Sequence, residues 1–405
     1  MDSSIDRLRT QDVLVLCVLA LLAFGVVMVQ SASTTLGGPA DSHAGWEWSV
    51  VGTKQLSFAI AAFATFLAVG WFDYSKLAFR GRSLLRSPIF WAVVIAAASC
   101  LLVLVPRIGM TVNGARRWIK LGPIQVQPSE LAKWAMVLFL AYWLTVHPVN
   151  FDSFFRGFLP TVVPVGLLCV LVVIQDFGTA ALIALCALTM LLAGRVKVRH
   201  LLIVLFPVLA AATWFITHKA YRMARITSFL HPYDSPQGQG YHMIQSLLSF
   251  SSGGIFGRGL GNGIQKLGYL PEDTTDFIFS VICEELGLFG AMLTVALYLG
   301  VLYVGWQIIK QKRDDFGRML AFGIATMLGL QALINIAVAT VSVPPKGLSL
   351  PLVSAGGSGL VITCGALGLL YSVARRSPAQ ADSAAAGAEL LDNFPPVDGR
   401  TARRR

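Results

Sequence analysis

Five carboxylates crowd the stretch 268–290, GYLPEDTTDFIFSVICEELGLFG: Glu272, Asp273, Asp276, Glu284 and Glu285. They stand at the mouth of a long apolar run. A charge at a bilayer centre costs at least ~2.5 kcal/mol on insertion scales, so acids kept at such a place are candidate functional groups. At 100° per residue, Asp276, Ser280, Cys283 and Gly287 fall on one stripe, with Ile278, Val281, Ile282 and Phe289 opposite. Asp276 is therefore expected to head the polar, groove-facing side of a short helix at about 275–286. The plainer reading is an acid at a helix start. Glu284 lies at the edge of the stripe, and Glu285 falls on the apolar side, where it needs a partner.

The second chemical signal is positive charge. The segment 113–134, NGARRWIKLGPIQVQPSELAKW, carries Arg116 and Arg117, then Glu130 and Lys133. Pro128 suits the first turn of a helix, which makes Glu130 and Lys133 an i, i+3 pair. One of the two arginines together with Lys133 could line an anion site; the plainer reading is an interfacial anchor steadied by an ion pair. The loop 218–287 adds Lys219, Arg222, Arg225, Arg258 and Lys266, and is long for a chain of tight turns. Its GGIFGRGLGNG lacks the GxxxxGK[ST] of a phosphate loop and reads as flexible backbone that hugs an elongated ligand. A rigid turn, 343–359 (VPPKGLSLPLVSAGGSG), presents Lys346.

The elements that must position these groups are membrane spans. The chain of 405 residues is 55% hydrophobic and only 13% charged, against about 25% charged in a soluble domain. Ten apolar runs approach span length: 11–31, 54–72, 88–106, 129–147, 157–175, 178–194, 199–217, 288–309, 318–343 and 359–374. The fold class is an all-α polytopic membrane protein with a long extracytoplasmic loop between spans seven and eight. The apolar stretch from Phe277 to Lys310 is too long for one span and is split at Gly287 and Gly290.

Lys and Arg concentrate in the loops 73–87, 195–199 and 310–318, which places both termini in the cytoplasm. The net charge of +11 fits cytoplasmic loops and anionic membrane lipid, not nucleic acid. The outer loops 107–127 and 218–287 oppose that bias; an anionic ligand at the outer surface is one candidate reason, and the plainer reading is that long loops translocate regardless of charge. The first run is too long, and too poorly preceded by basic residues, to be a cleavable signal. The six cysteines all lie in apolar runs and read as buried free thiols. A membrane domain over 1–376 is followed by a disordered cytoplasmic tail, 377–405.

Together these segments resemble the SEDS family (shape, elongation, division and sporulation; FtsW, RodA and SpoVE). NGARRWI with QPSELAK, DFGTA, GYHMIQS with GGIFGRGLGNG, QKLGYLPE, TDFIFSVICEELG and KGLSLPLVS with GGS stand in family order from about Gln11 to Arg376. VNGARRW and QKLGYLPE are closer to the FtsW/SpoVE branch. The resemblance implies ten spans and a peptidoglycan glycosyltransferase of the cytoplasmic (inner) membrane. Such an enzyme polymerises lipid II at the outer face, in cell division, alongside a class B penicillin-binding protein transpeptidase and other divisome proteins. The family's catalytic aspartate matches Asp276. Two positions depart from the family pattern: Thr274 stands where His is usual, and Ala355 where Tyr is usual.

On that resemblance, Asp276 is expected to be the general base. The candidate substrate-binding set is Arg116, Arg117, Glu130, Lys133, Arg222, Lys266 and Lys346, with Arg117 and Lys133 leading for the pyrophosphate. A helix start should lower the pKa of Asp276 and an apolar setting should raise it. No cofactor is specified; a divalent cation, Mg or Mn, is open, but no tight carboxylate cluster marks a site for one. The rivals are a lipid II flippase or transporter, which predicts deep acids and an inverted repeat, a RodA-like elongation polymerase, and a silent scaffold.

Overall fold

Inside a bilayer the backbone has no water to bond to, so apolar runs of span length fold as helices. The computed structural model describes residues 9–33, 49–78, 86–112, 115–122, 124–146, 151–218, 220–238 and 240–376, with the side chains of 112, 115, 121, 124, 212, 215, 216 and 220–222 outside the description. In chain order the elements are α1 (Thr10–Ser33), α2 (Val50–Trp71), α3 (Pro88–Leu102), β1 (Gly109–Val112), β2 (Ala115–Leu121), β3 (Ile124–Val126), α4 (Pro128–Thr145), α5 (Leu159–Val173), α6 (Phe177–Ala193), α7 (Val198–Thr217), α8 (Ala220–Leu230), α9 (Tyr241–Gly253), α10 (Ile278–Gln311), α11 (Asp315–Ala339) and α12 (Ser358–Arg375).

Each of the ten expected runs is a helix: all of these except α8 and α9. Among the described residues, six segments are long and apolar enough to cross a membrane: α1, α2, α10, α11, α12 and the stretch Phe154–Val173, where a π-helical turn leads into α5. Pro88–Leu102, Phe177–Ala193 and Val198–Ala211 are shorter apolar helices. The chain is a multi-pass, mainly helical membrane protein. Its outward faces are greasy, as lipid requires: Phe206 is 69% exposed and Tyr303 63%.

Local signals set the helix starts. Pro128 opens α4 from an extended Gln127, as its missing N–H allows. Asp176 caps α6 with Oδ1 accepting from the N–H groups of Gly178 (2.9 Å) and Thr179 (3.2 Å), and Oδ2 from the Thr179 hydroxyl (2.8 Å). All six cysteines are free, four of them buried.

Three features differ from the sequence reading. The segment 109–126, expected as part of an outer loop, is a small antiparallel sheet in the order β1-β2-β3. The loop 218–287 carries two helices, α8 and α9. The expected domain division and tail at 377–405 lie outside the described residues. The turn 343–357 is not a surface turn either. Leu348, Leu350, Leu352 and Val353 are buried, Gln55 of α2 donates to the Ser354 carbonyl (3.2 Å), and the Tyr298 hydroxyl of α10 bonds the Pro351 carbonyl.

The split of α10 is where the sequence put it. Helical geometry runs from Ile278, breaks at Gly287 (φ 62°, ψ −153°), and resumes to Gln311. That backbone region is open essentially to glycine alone.

Candidate active site

The break at Gly287 leaves helix carbonyls without partners, and the Gly-rich loop supplies them. Arg258 N–H donates to the Glu284 carbonyl (3.0 Å) and Gly259 N–H to that of Glu285 (2.9 Å). In return Leu288 N–H donates to the carbonyls of Gly254 and Ile255 (both 3.1 Å). A side chain at Gly257 would put its Cβ 2.2 Å from the Glu285 carbonyl oxygen. The segment is a splint for the kink, so its backbone is already engaged, and the expectation of a ligand-hugging loop is corrected.

The acids that follow Asp276 serve the same purpose. Glu284 is fully buried, and its carboxylate accepts from the N–H groups of Ile264 (2.9 Å) and Gln265 (3.2 Å). Glu285, expected to need a partner, pairs with Lys266 at 2.9 Å, both side chains fully buried. Ser31 donates to the other Glu285 oxygen (2.5 Å), and Lys266 also donates to the Ser31 carbonyl (2.8 Å). Lys266 thus ties the loop to α1 and α10. With its charge neutralised and no exposed surface, it is withdrawn from the candidate anion ligands.

Lys133 is corrected in the same way. It is fully buried, with Nζ 2.8 Å from Glu130 and 2.6 Å from the Gln331 amide oxygen. Gln331 in turn donates to the Ser349 carbonyl (2.9 Å). The Glu130–Lys133 pair therefore braces α4 against α11 and the turn 343–357. Glu130 and Gln331 line a cavity of about 10 Å³ there, about room for one water. Arg116 is exposed and reaches the Leu104 carbonyl (3.3 Å). Successive strand residues face opposite ways, so Arg116 points away when Arg117 points in. The side chain of Arg222 lies outside the described residues.

Asp276 sits elsewhere than the helical wheel put it. The helix begins at Ile278 with Phe277 as its cap, and Asp276 lies in the preceding turn, half-buried. Glu272 makes that turn with φ 58°, and its carbonyl accepts from the N–H groups of Thr275 (3.2 Å) and Phe277 (3.1 Å). The supposed polar stripe below is closed: Ser280 bonds Ser246 of α9 at 2.7 Å, and both are buried.

Charges gather around Asp276 from four regions of the chain. A Cβ built on Gly347 would lie 3.1 Å from Asp276 Oδ2 and 3.6 Å from Arg117 Nη1, so carboxylate and guanidinium converge on the same turn. Arg117 is aimed by its Nε–H bond to the Gln175 carbonyl (2.9 Å). Lys346 lies over the Phe177 ring, 5.3 Å from its centroid. Burial pushes the Lys346 pKa down, and the neighbouring Asp176 carboxylate opposes that.

Burial pushes Asp276 up to about 7; the Glu272 and Asp176 carboxylates add to the rise, while Arg117 and Arg225 oppose it. Of the two effects weighed in the sequence, burial is the larger here. Among the described residues, no hydrogen-bond donor is seated on its carboxylate. Asp273 is also raised, to about 6, chiefly by burial. His242, stacked on Phe277 with centroids 5.9 Å apart, is lowered by burial and by Arg225. A carboxylate poised near neutrality can accept a proton, and cations beside it can steady a developing anion.

Sequence reading missed Asp176, Arg225, His242 and Asn335 as neighbours of this site. Asp176 was visible as an acid in a tight turn, and Asn335 as a polar residue deep in an apolar helix; nothing local marked Arg225 or His242. Of the candidates, Arg117 and Lys346 come together with Asp276. Arg116, Lys133 and Lys266 do not.

Residues 11–378 match the family model described as cell cycle protein, FtsW/RodA/SpoVE. The chain belongs to that family. A probable peptidoglycan glycosyltransferase FtsW of Geobacter sp. (strain M18) is 38% identical over 375 residues, covering 91% of this chain and 98% of the relative. One of the same description from Coxiella burnetii is 37% identical, covering 89% and 95%. Among solved structures, a chain from work on the structural coordination of polymerization and crosslinking by a peptidoglycan synthase complex superposes with a TM-score of 0.71 at 28% identity, over 89% of this chain and 96% of that one. The rod shape determining protein RodA of Thermus thermophilus gives a TM-score of 0.61 at 28% identity, over 89% and 95%.

Proposed function

We propose that this chain is a peptidoglycan glycosyltransferase that polymerises lipid II at the outer face of the cytoplasmic membrane during division, with both termini inside. The FtsW relatives support the activity. The observation that carries the site assignment is Asp276: a half-buried acid at about 7, with no described donor on its carboxylate and Arg117 beside it.

In this reading Asp276 accepts the proton of the acceptor sugar's 4-hydroxyl as that oxygen bonds to the anomeric carbon of the donor. The bond from that carbon to the pyrophosphate oxygen breaks, its electron pair stays on undecaprenyl pyrophosphate, and the anomeric centre inverts. Arg117 offers forked phosphate contact, and Lys346 a point charge on the same turn. The lipid tails stay in the bilayer, which is why the site sits at a membrane mouth.

The partner in this proposal is a class B penicillin-binding protein that cross-links the glycan. The transport reading gains nothing: Asp176, Gln331 and Asn335, the deep polar groups it would use, are engaged in caps and backbone bonds. The test is polymerisation of purified lipid II with the partner present. Asp276→Asn should leave no glycan above background at full membrane insertion. Glycan at the wild-type rate would remove Asp276 from the chemistry.

A further inference from the structure

Three consecutive carbonyls at the Asp276 turn are pinned from outside. Ala355 N–H donates to the Thr274 carbonyl (2.9 Å), Ser354 Oγ to that of Thr275 (2.6 Å), and Asn335 Nδ2 to that of Asp276 itself (2.8 Å). The third bond differs from the other two. The same Asn335 amide nitrogen donates to the Leu348 carbonyl at 2.6 Å, two residues beyond Lys346. Asn335 projects from α11, is 1% exposed, and keeps its Oδ1 buried without a partner. A buried acceptor left without a partner is a standing cost to the folded state. An apolar side chain would avoid that cost but would release both carbonyls.

We propose that Asn335 is the positioning residue of the reaction: its one side-chain amide holds the backbone of Asp276 and the turn bearing Lys346 at a fixed separation. The inference rests on the glycosyltransferase reading of Asp276. At least one carboxylate oxygen must stay free to take a proton, and among the described residues no donor orients the other. Its position is then set by its backbone, and the Asp276 carbonyl is the backbone group of that residue that Asn335 holds. By holding Leu348 as well, Asn335 makes the distance from base to cation a property of one rigid helix. Misplacement of about 1 Å at a reacting group can cost 10²-fold in rate.

The experiment uses the full-length protein with its partner and purified lipid II, and two variants, Asn335→Ala and the near-isosteric Asn335→Asp. Both should fall 10- to 100-fold in kcat with KM changed less than threefold, and the acid limb of the kcat/KM profile should move. In a cycle with Lys346→Ala the losses should be non-additive, because one amide serves both groups. Membrane insertion, unfolding midpoint and the near-additive behaviour of Asn335→Ala with the distant Lys197→Ala serve as controls. Wild-type kcat in both variants, or additive losses with Lys346→Ala, overturns the proposal, as does failure of both variants to fold, which would make Asn335 a folding residue. If wild type itself forms no glycan, it is the glycosyltransferase reading that falls.

Discussion

The pKa of the Asp276 carboxylate is open to a quantitative test through Arg117. Both Asp276 Oδ2 and Arg117 Nη1 lie within 3.6 Å of one point at Gly347. They are thus no more than about 7 Å apart, and at an effective dielectric of ~20 they attract by about 2.4 kcal/mol. Arg117 is half-buried, and water beside it screens part of that, leaving roughly 1.4 kcal/mol, or about one pKa unit. In Arg117→Gln the base should move from about 7 to about 8. A general base works deprotonated, so activity rises with pH through its pKa. At pH 7 the competent fraction would fall from about a half to about a tenth. The assay is kcat/KM for lipid II polymerisation from pH 5.5 to 9.5, which reports the free enzyme's essential groups. Lost phosphate contact would lower the alkaline plateau, whereas lost charge would move the acid limb upward. A lowered plateau with an unmoved limb would refute the reasoning that Arg117 tunes Asp276.

The remaining predictions concern stability and the kink. Because the Asp276 pKa is raised by folding, the folded state binds the extra proton between about pH 4 and 7, and ionisation costs stability as pH rises through that window. Asp276→Asn should therefore raise the unfolding midpoint more at pH 8 than at pH 4, measured by tryptophan fluorescence in detergent; equal effects at both would refute the burial account. Removing one member of the buried Lys266–Glu285 pair, by Lys266→Met, should cost about 3–5 kcal/mol, and Lys266→Met with Glu285→Leu should recover most of it. A loss of less than 1 kcal/mol in the single variant, read by denaturant titration, would count against burial of the pair. Gly287→Ala must place a Cβ 2.4 Å from Gly257 N in a glycine-only conformation. It should lose at least about 1–3 kcal/mol, and proteolysis of the 253–263 splint should accelerate; unchanged protease resistance would mean the splint does not depend on the kink.

What was legible in the sequence followed from lengths and local chemistry. An apolar stretch too long for one span, with glycines at 287 and 290, gave the broken α10 within a residue or two, and Pro128 gave the start of α4. The helical wheel failed at Asp276 because it started the helix about three residues too early; the turn is imposed by Glu272 in a left-handed conformation, and an exposed glutamate carries no mark of that. The Gly-rich loop was read as flexible because glycine permits flexibility, but here it permits close approach to a second backbone. The sheet at 109–126 was hidden by short strands and a charged sequence. Arg225 lies on α8 and His242 on α9, and no local pattern in the sequence shows that the fold brings them near Asp276 and Phe277.

The cations show most plainly where sequence reasoning stops. Counting Lys and Arg in the outer loops gave a plausible anion site but could not tell spent charges from available ones. Lys133 and Lys266 are spent: each is fully buried against a glutamate and a second acceptor. The acids divide in the same way. Glu130 and Glu285 answer lysines, Glu284 answers backbone N–H groups, and Asp176 answers the first turn of α6. Each of these resolves the cost of a buried charge locally, and the proof is a donor within hydrogen-bond distance. Asp276 resolves it differently: the proton itself is held up to about pH 7. A fold that braces the carbonyls of three successive residues, while no donor among the described residues reaches the Asp276 carboxylate, is stabilising a position, not a charge. On the proposed reading, that combination separates Asp276, kept for proton transfer, from the acids kept for structure.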